Sequence, residues 1–160
     1  MASNPALKTA FGAAMFKAFE QHVSPDVRLY DDRIGPRLLT GMPATIMRFS
    51  ALRAPMRALM ERMEPGLIGA MACRTRAIDD AVAAAVADGA QQAVILGAGL
   101  DTRAQRLPEF AGLPVWELDA LQVQAAKVAS VTRLLGEIPP QVRYLPVDFA
   151  DQSIADVLDR

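Results

Sequence analysis

The sequence has almost none of the residues that bind metals or crosslink a chain: among 160 residues there is one cysteine, Cys73, and one histidine, His22. A lone cysteine excludes an internal disulfide and points to a reducing compartment. With His22 far away along the chain, the two make a poor metal ligand set. His22 stands near the end of a helical segment and reads as a surface or capping residue. Neither sign of charge is in excess, since 17 Lys and Arg against 18 Asp and Glu leave a formal net charge of −1. That balance excludes a general pull toward nucleic acid or an anionic membrane. No apolar run reaches the roughly 18 residues that a membrane-spanning helix needs. The opening stretch MASNPALKTAFGAAMFKAFEQH is interrupted by charge where a signal peptide would carry its apolar centre. A soluble, cytoplasmic protein is therefore expected. What is present is ordinary for such a protein: 52% hydrophobic and 22% charged residues, enough at this length for one domain with a core.

Residues 1 to about 90 read as mainly helical. Phe11, Met15 and Phe19 recur every four residues and so share one helical face. Ser24-Pro25-Asp26 breaks that helix, and Gly35-Pro36 and Gly41-Met42-Pro43 punctuate a short helix and loops. From Ala44 to Met63 a segment rich in Met and Arg follows, and Pro55 is expected to kink or divide it. Its basic, amphipathic character would suit a membrane surface, but the rest of the chain has no membrane feature. A lid with Met and Leu toward the core or a substrate is the simpler expectation. Residues 67 to 88 form another helix, stopped by Gly89.

The pattern then changes. Gln92 to Leu96 is a short apolar run suited to a strand buried on both faces of a parallel sheet. Val115 to Leu118 reads as a second strand and Val142 to Val147 as a third, with helices over 102–110 and 120–136 between them. Alternation of this kind predicts an α/β fold, a Rossmann-like three-layer sandwich of parallel strands. The domain plan is a helical lid over 1–65 followed by a ligand-binding half-domain over 66–160.

Chemistry concentrates at Leu96-Gly97-Ala98-Gly99-Leu100-Asp101-Thr102-Arg103. An apolar strand running into Gly-Ala-Gly and a helix start brings backbone amides close to a ligand. A dinucleotide fingerprint would place a third small residue where Thr102 stands, to pack around a pyrophosphate. Asp101 beside it would repel a pyrophosphate, yet suits a sulfonium ligand that carries an ammonium group. S-adenosyl-L-methionine is thus preferred to NAD. Asp119 lies twenty residues beyond Gly99 at the end of the second strand, placed to accept from both ribose hydroxyls. Asp148 and Phe149 close the third strand, where an adenine amino group could donate to the carboxylate and the next amide to the ring. In a parallel sheet these strand ends open on one crevice. Either aspartate alone could equally cap the following helix. Upstream, Arg74 is a candidate for a bidentate contact to a ligand carboxylate, whereas Arg76 and Asp80 read as a surface i,i+4 pair.

The blocks RTRAIDD, VILGAGLDTRAQRL, VWELD and PVDF, in that order, closely resemble the leucine carboxyl methyltransferase-like family of S-adenosylmethionine-dependent O-methyltransferases. The resemblance is strongest from about Pro65 to Asp151. It implies a class I methyltransferase fold, with Arg74 at the cofactor carboxylate and Gly97, Ala98 and Gly99 at its methionine moiety. It also implies Asp119 at the ribose, Asp148 with Phe149 at the adenine, and Lys8 as a candidate for a family lysine at the carboxylate. The expected reaction is methyl transfer to a carboxylate or hydroxyl of a small, apolar acceptor. No catalytic residue is assigned. The family fold has seven strands, whereas this chain stops after the third, so a truncated gene, a fragment or part of a split protein is expected. A second copy or a partner chain would then cover the open edge of the first strand. The alternatives are a non-catalytic cofactor-binding module and, third, a nicotinamide-dependent oxidoreductase.

Overall fold

The computed structural model describes residues 5–158. Its elements run α1 (Pro5–Glu20), α2 (Gly35–Leu38), α3 (Gly41–Arg48), α4 (Ser50–Met63), α5 (Leu67–Ala87), β1 (Ala93–Leu96), α6 (Arg103–Arg106), a single 3-10 turn (Pro108–Phe110), β2 (Val115–Asp119), α7 (Leu121–Leu135), β3 (Val142–Pro146) and α8 (Ile154–Leu158). The three strands form one parallel sheet in the order β1-β2-β3. Each connection between neighbours carries helix, as parallel pairing requires. The α/β architecture expected from the sequence is therefore present, as a partial Rossmann-like sheet.

Two of the three apolar clusters adjoin the segment that follows the glycine turn, through Leu100 and Ala104. In the helical region Phe19, Leu39, Ile46, Met47 and Ile68 are buried together with Leu100, and Phe11, Met15, Met56 and Met60 pack on them. The four-residue spacing of Phe11, Met15 and Phe19 thus does mark the inward face of α1. Beneath the sheet, Val115 and Val142 pack with Ala104, Phe110, Ile95 and Val82.

Three local expectations are corrected. The Met- and Arg-rich segment divides at Phe49, whose backbone is extended (φ −106°, ψ 119°), and Pro55 lies inside α4 without ending it. At the sixth position of α4 the proline forfeits one intrahelical bond, to the Ala51 carbonyl, and the helix continues past it. The region 102–110 is not one helix. It is α6 followed by a break at Leu107, extended at ψ 123° ahead of Pro108, which is the conformation a residue preceding proline prefers. Finally, β1 is not buried on both faces: Val94 is 40% and Leu96 51% exposed. Ala93 and Ile95 turn toward α5 and α6, while no described element covers the opposite face at this terminal strand.

Candidate functional site

The glycine turn is built by β1 running into a bend where Gly97 (φ 62°) and Gly99 (φ 50°) take left-handed conformations that side chains disfavour. A methyl group on Gly99 would also meet the Cβ of Ala10 at 3.5 Å, because α1 passes directly over the turn. Small residues make that approach feasible: Ala6, Ala10, Ala13 and Ala14 of α1 face the bend across a cavity of about 420 Å³. That volume suits a small-molecule ligand.

Six residues expected at the site line this one cavity: Arg74, Gly97, Ala98, Gly99, Asp101 and Asp119. Arg74 is exposed at its rim on α5. Asp119, at the end of β2, accepts the Gly99 amide at 2.6 Å and its neighbour Ala120's amide at 2.7 Å, one bond to each carboxylate oxygen. It therefore staples the turn, and each oxygen keeps a further lone pair for a ligand. Asp148 and Phe149 are not brought into this cavity. Both are exposed beyond β3, where the Asp148 carboxylate accepts the Ala150 amide at 3.0 Å in a local turn. Lys8 is likewise exposed and outside the cavity lining.

The lysine that does reach the cavity is Lys17, nine residues further along α1 on the face that carries Ala10, Ala13 and Ala14. Its Nζ lies 3.5 Å from Asp101 Oδ2. Asp101 also accepts the Arg103 amide at 2.8 Å and pairs with the Arg103 guanidinium. Burial pushes the Asp101 carboxyl up, but the charges of Lys17 and Arg103 outweigh it and hold the group at about 2. Asp101 is therefore a neutralised carboxylate rather than a bare charge, which weakens its power to repel a pyrophosphate. Asp101 alone therefore discriminates only weakly against a dinucleotide.

Behind the cavity wall lies a buried network that sequence reasoning missed. Arg103 Nε donates to Asp79 at 2.7 Å, and Arg106 Nη2 donates to both oxygens of the same carboxylate at 2.9 and 2.6 Å. Thr102, only 1% exposed, donates to Asp32 at 2.7 Å, and Asp32 in turn accepts the amides of Ile34 and Gly35. Thr102 thus faces away from the ligand space and ties the turn to the 21–34 loop. Arg76 and Asp80 pair on the surface at 2.8 Å. Under β2, Glu117 and Lys127 form a fully buried ion pair. Burial pushes the Glu117 carboxyl up against the opposing pull of Lys127.

With this geometry in place, comparison decides the kinship. The model of the leucine carboxyl methyltransferase family matches residues 10–160. The chain belongs to that family. A relative from Mycolicibacterium paratuberculosis strain ATCC BAA-968 / K-10, which bears the provisional name of an S-adenosyl-L-methionine-dependent methyltransferase, is 33% identical over 158 residues, 93% of this chain and 56% of its own length. A protein of the same provisional name from Mycobacterium avium strain 104 is also 33% identical over 93% of this chain, and 50% of it is covered. Another from the latter organism is 45% identical over 82 residues, 51% of this chain and 26% of its own. The chain spans about half the length of the curated relatives that it matches along most of its length. No helix among the described residues is long and apolar enough to cross a membrane.

Proposed function

We propose that this family member binds S-adenosyl-L-methionine in the cavity over the glycine turn and serves O-methyl transfer to a carboxylate or hydroxyl of a small, apolar acceptor. The observation that carries this reading is the meeting of Gly97–Gly99, Asp119, Asp101, Arg74 and Lys17 around one space of about 420 Å³. The donor set fits the cofactor's chemistry. Arg74 offers a cation to its carboxylate, the Lys17–Asp101 pair offers a carboxylate oxygen to its ammonium, and Asp119 has free lone pairs for ribose hydroxyls. Backbone at the two glycines allows close approach without a side chain intervening. Asp148 and Phe149, exposed outside the cavity beyond the neighbouring strand, are the proposed adenine contacts for a cofactor that extends past Asp119.

The bound cofactor supplies a methyl carbon already activated by the sulfonium, so what the protein must add is alignment and exclusion of water. Here the α1 roof, packed within van der Waals reach of Gly99, limits solvent access from one side. A carboxylate acceptor is ionised at neutral pH and needs no base, whereas a hydroxyl needs one. The names of the relatives support the cofactor assignment, and the acceptor follows from the resemblance.

A second reading has its own support. Val94 and Leu96 leave an apolar face open at β1, which favours a cofactor-binding module completed by a partner chain or a second copy. Calorimetry with S-adenosylhomocysteine and with NAD tests the main reading. Binding of the former alone is expected, and Asp119→Ala should weaken it roughly tenfold, about 1.4 kcal/mol. Binding of NAD alone would reject it. Labelled S-adenosylmethionine offered with carboxylic acids and phenols then separates transferase from module, since binding without turnover favours the module.

A further inference from the structure

A second cavity, of about 410 Å³, lies between the end of α1 and the helix α4. It is separate from the cavity over the glycine turn. The latter is faced by Ala10, Ala14 and Lys17, whereas Phe19 projects roughly 200° around α1 from Lys17, at about 100° per residue. Phe19, Ala54 and Ala58 give the second cavity apolar walls, and His22, Arg53 and Arg57 give it a cationic side.

The charges there are unbalanced in an unusual way. Arg53 and Arg57 are four residues apart on α4, so both like-charged side chains rise from one face of the helix and line this cavity. Glu61 follows Arg57 by another four residues and would be its ordinary partner. Instead the Glu61 carboxylate accepts the Gly66 amide at 2.7 Å. Arg53 spends one nitrogen on the Met47 carbonyl at 2.6 Å. The exposed Arg57 guanidinium has no protein hydrogen bond or ion pair among the described residues. Two cationic side chains, the half-buried Arg53 and the exposed Arg57, thus border an open groove walled by Phe19, Ala54 and Ala58.

We infer that this cavity is a binding site for a small amphiphilic carboxylate, its carboxyl group on Arg57 and Arg53 and its hydrocarbon portion against Phe19, Ala54 and Ala58. A guanidinium pairs with a carboxylate through two parallel hydrogen bonds, and the neighbouring arginine strengthens the attraction. The apolar walls distinguish such a ligand from a fully hydrated anion, which would leave them wet.

His22 makes the test direct, because it is the only histidine in the chain and its imidazole resonance is unambiguous. Burial and the charges of Arg53 and Arg28 hold its pKa below the ordinary value, and Arg57 and Glu61 complete the charged groups around it. Titration with octanoate, followed by proton NMR of the full chain, is expected to move the His22 resonance saturably and to raise its titration midpoint. Arg57→Met should weaken octanoate binding roughly tenfold, and Arg62→Met, outside the cavity, should leave it unchanged. Ala58→Leu fills the apolar wall without altering charge and should also weaken binding, with far-UV circular dichroism showing that each variant is folded. An unresponsive His22, or octanoate affinity indifferent to Arg57→Met and Ala58→Leu, would overturn the assignment. So would inorganic phosphate producing the same saturable response as octanoate.

Discussion

The two faces of the sheet are finished differently. On one, Ala93, Ile95, Val115 and Val142 are sealed by α5, α6 and the 3-10 turn, with the Asp79, Arg103 and Arg106 cluster and the Glu117–Lys127 pair buried alongside. On the other, Leu118 and Val147 are covered by α8, whereas Val94 and Leu96 remain half exposed. The sealed face is polar as well as tight, and Asp79 holds Arg103 and Arg106 in the segment that follows the glycine turn. Buried ion pairs seldom add net stability, because desolvation offsets their attraction, but breaking one by removing a single partner is costly. The comparison teaches that rigidity is concentrated beneath the glycine turn, while the far side of β1 carries no such constraint.

The sharpest way to break this contrast is Asp79→Ala, which leaves the buried Arg106 with only Asp32, 4.0 Å away, and removes one of the two carboxylates that hold Arg103. A loss of about 3 kcal/mol or more is expected from urea unfolding, and a loss under about 1 kcal/mol would mean that the cluster is not a clamp. Next comes Asp101→Asn. The Asp101 pKa is depressed to about 2, so its charged form stabilises the fold above the ordinary carboxylate range, and that contribution disappears as pH falls through about 2. The variant should therefore be less stable by about 2 kcal/mol at pH 7. The gap should narrow between roughly pH 4 and pH 2, as measured by denaturant unfolding across that range. The smallest effect belongs to the open face: Val94→Thr with Leu96→Thr should change stability by less than about 1 kcal/mol. If these residues are instead covered in solution by another chain, sedimentation will show the native protein self-associating and the double variant not.

Much of this was legible in the sequence, for identifiable reasons. Gly97 and Gly99 announce their turn because only a backbone in the left-handed region needs them there, and the strand ahead of them is apolar. Asp119 could be placed from a local rule, twenty residues beyond Gly99 at the next strand end. The two-sided burial of β1 could not be read, because all of Ala93, Val94, Ile95 and Leu96 are apolar and nothing alternates to show which face is covered. Nor could the partners of Asp101 and Asp79. Lys17 lies 84 residues before Asp101, and Arg103 lies 24 after Asp79, so no helical or strand periodicity connects them. The one available signal for Lys17 was its place on the alanine-lined face of α1, which leaves room for a neighbour to come close. Thr102 was noted as a departure from a glycine pattern, but its use as a donor to Asp32 follows only from the folded loop.

The seating of Ala10 against Gly99 has a consequence for how the molecule comes together. Phe19 packs α1 onto nearby Leu39, Ile46 and Met47, but its contact with the glycine turn joins residues 89 apart in the chain, Ala10 and Gly99. Contacts of such long separation form late and slowly. Assembly of the binding cavity is therefore expected to be among the final events of folding, with its roof arriving last.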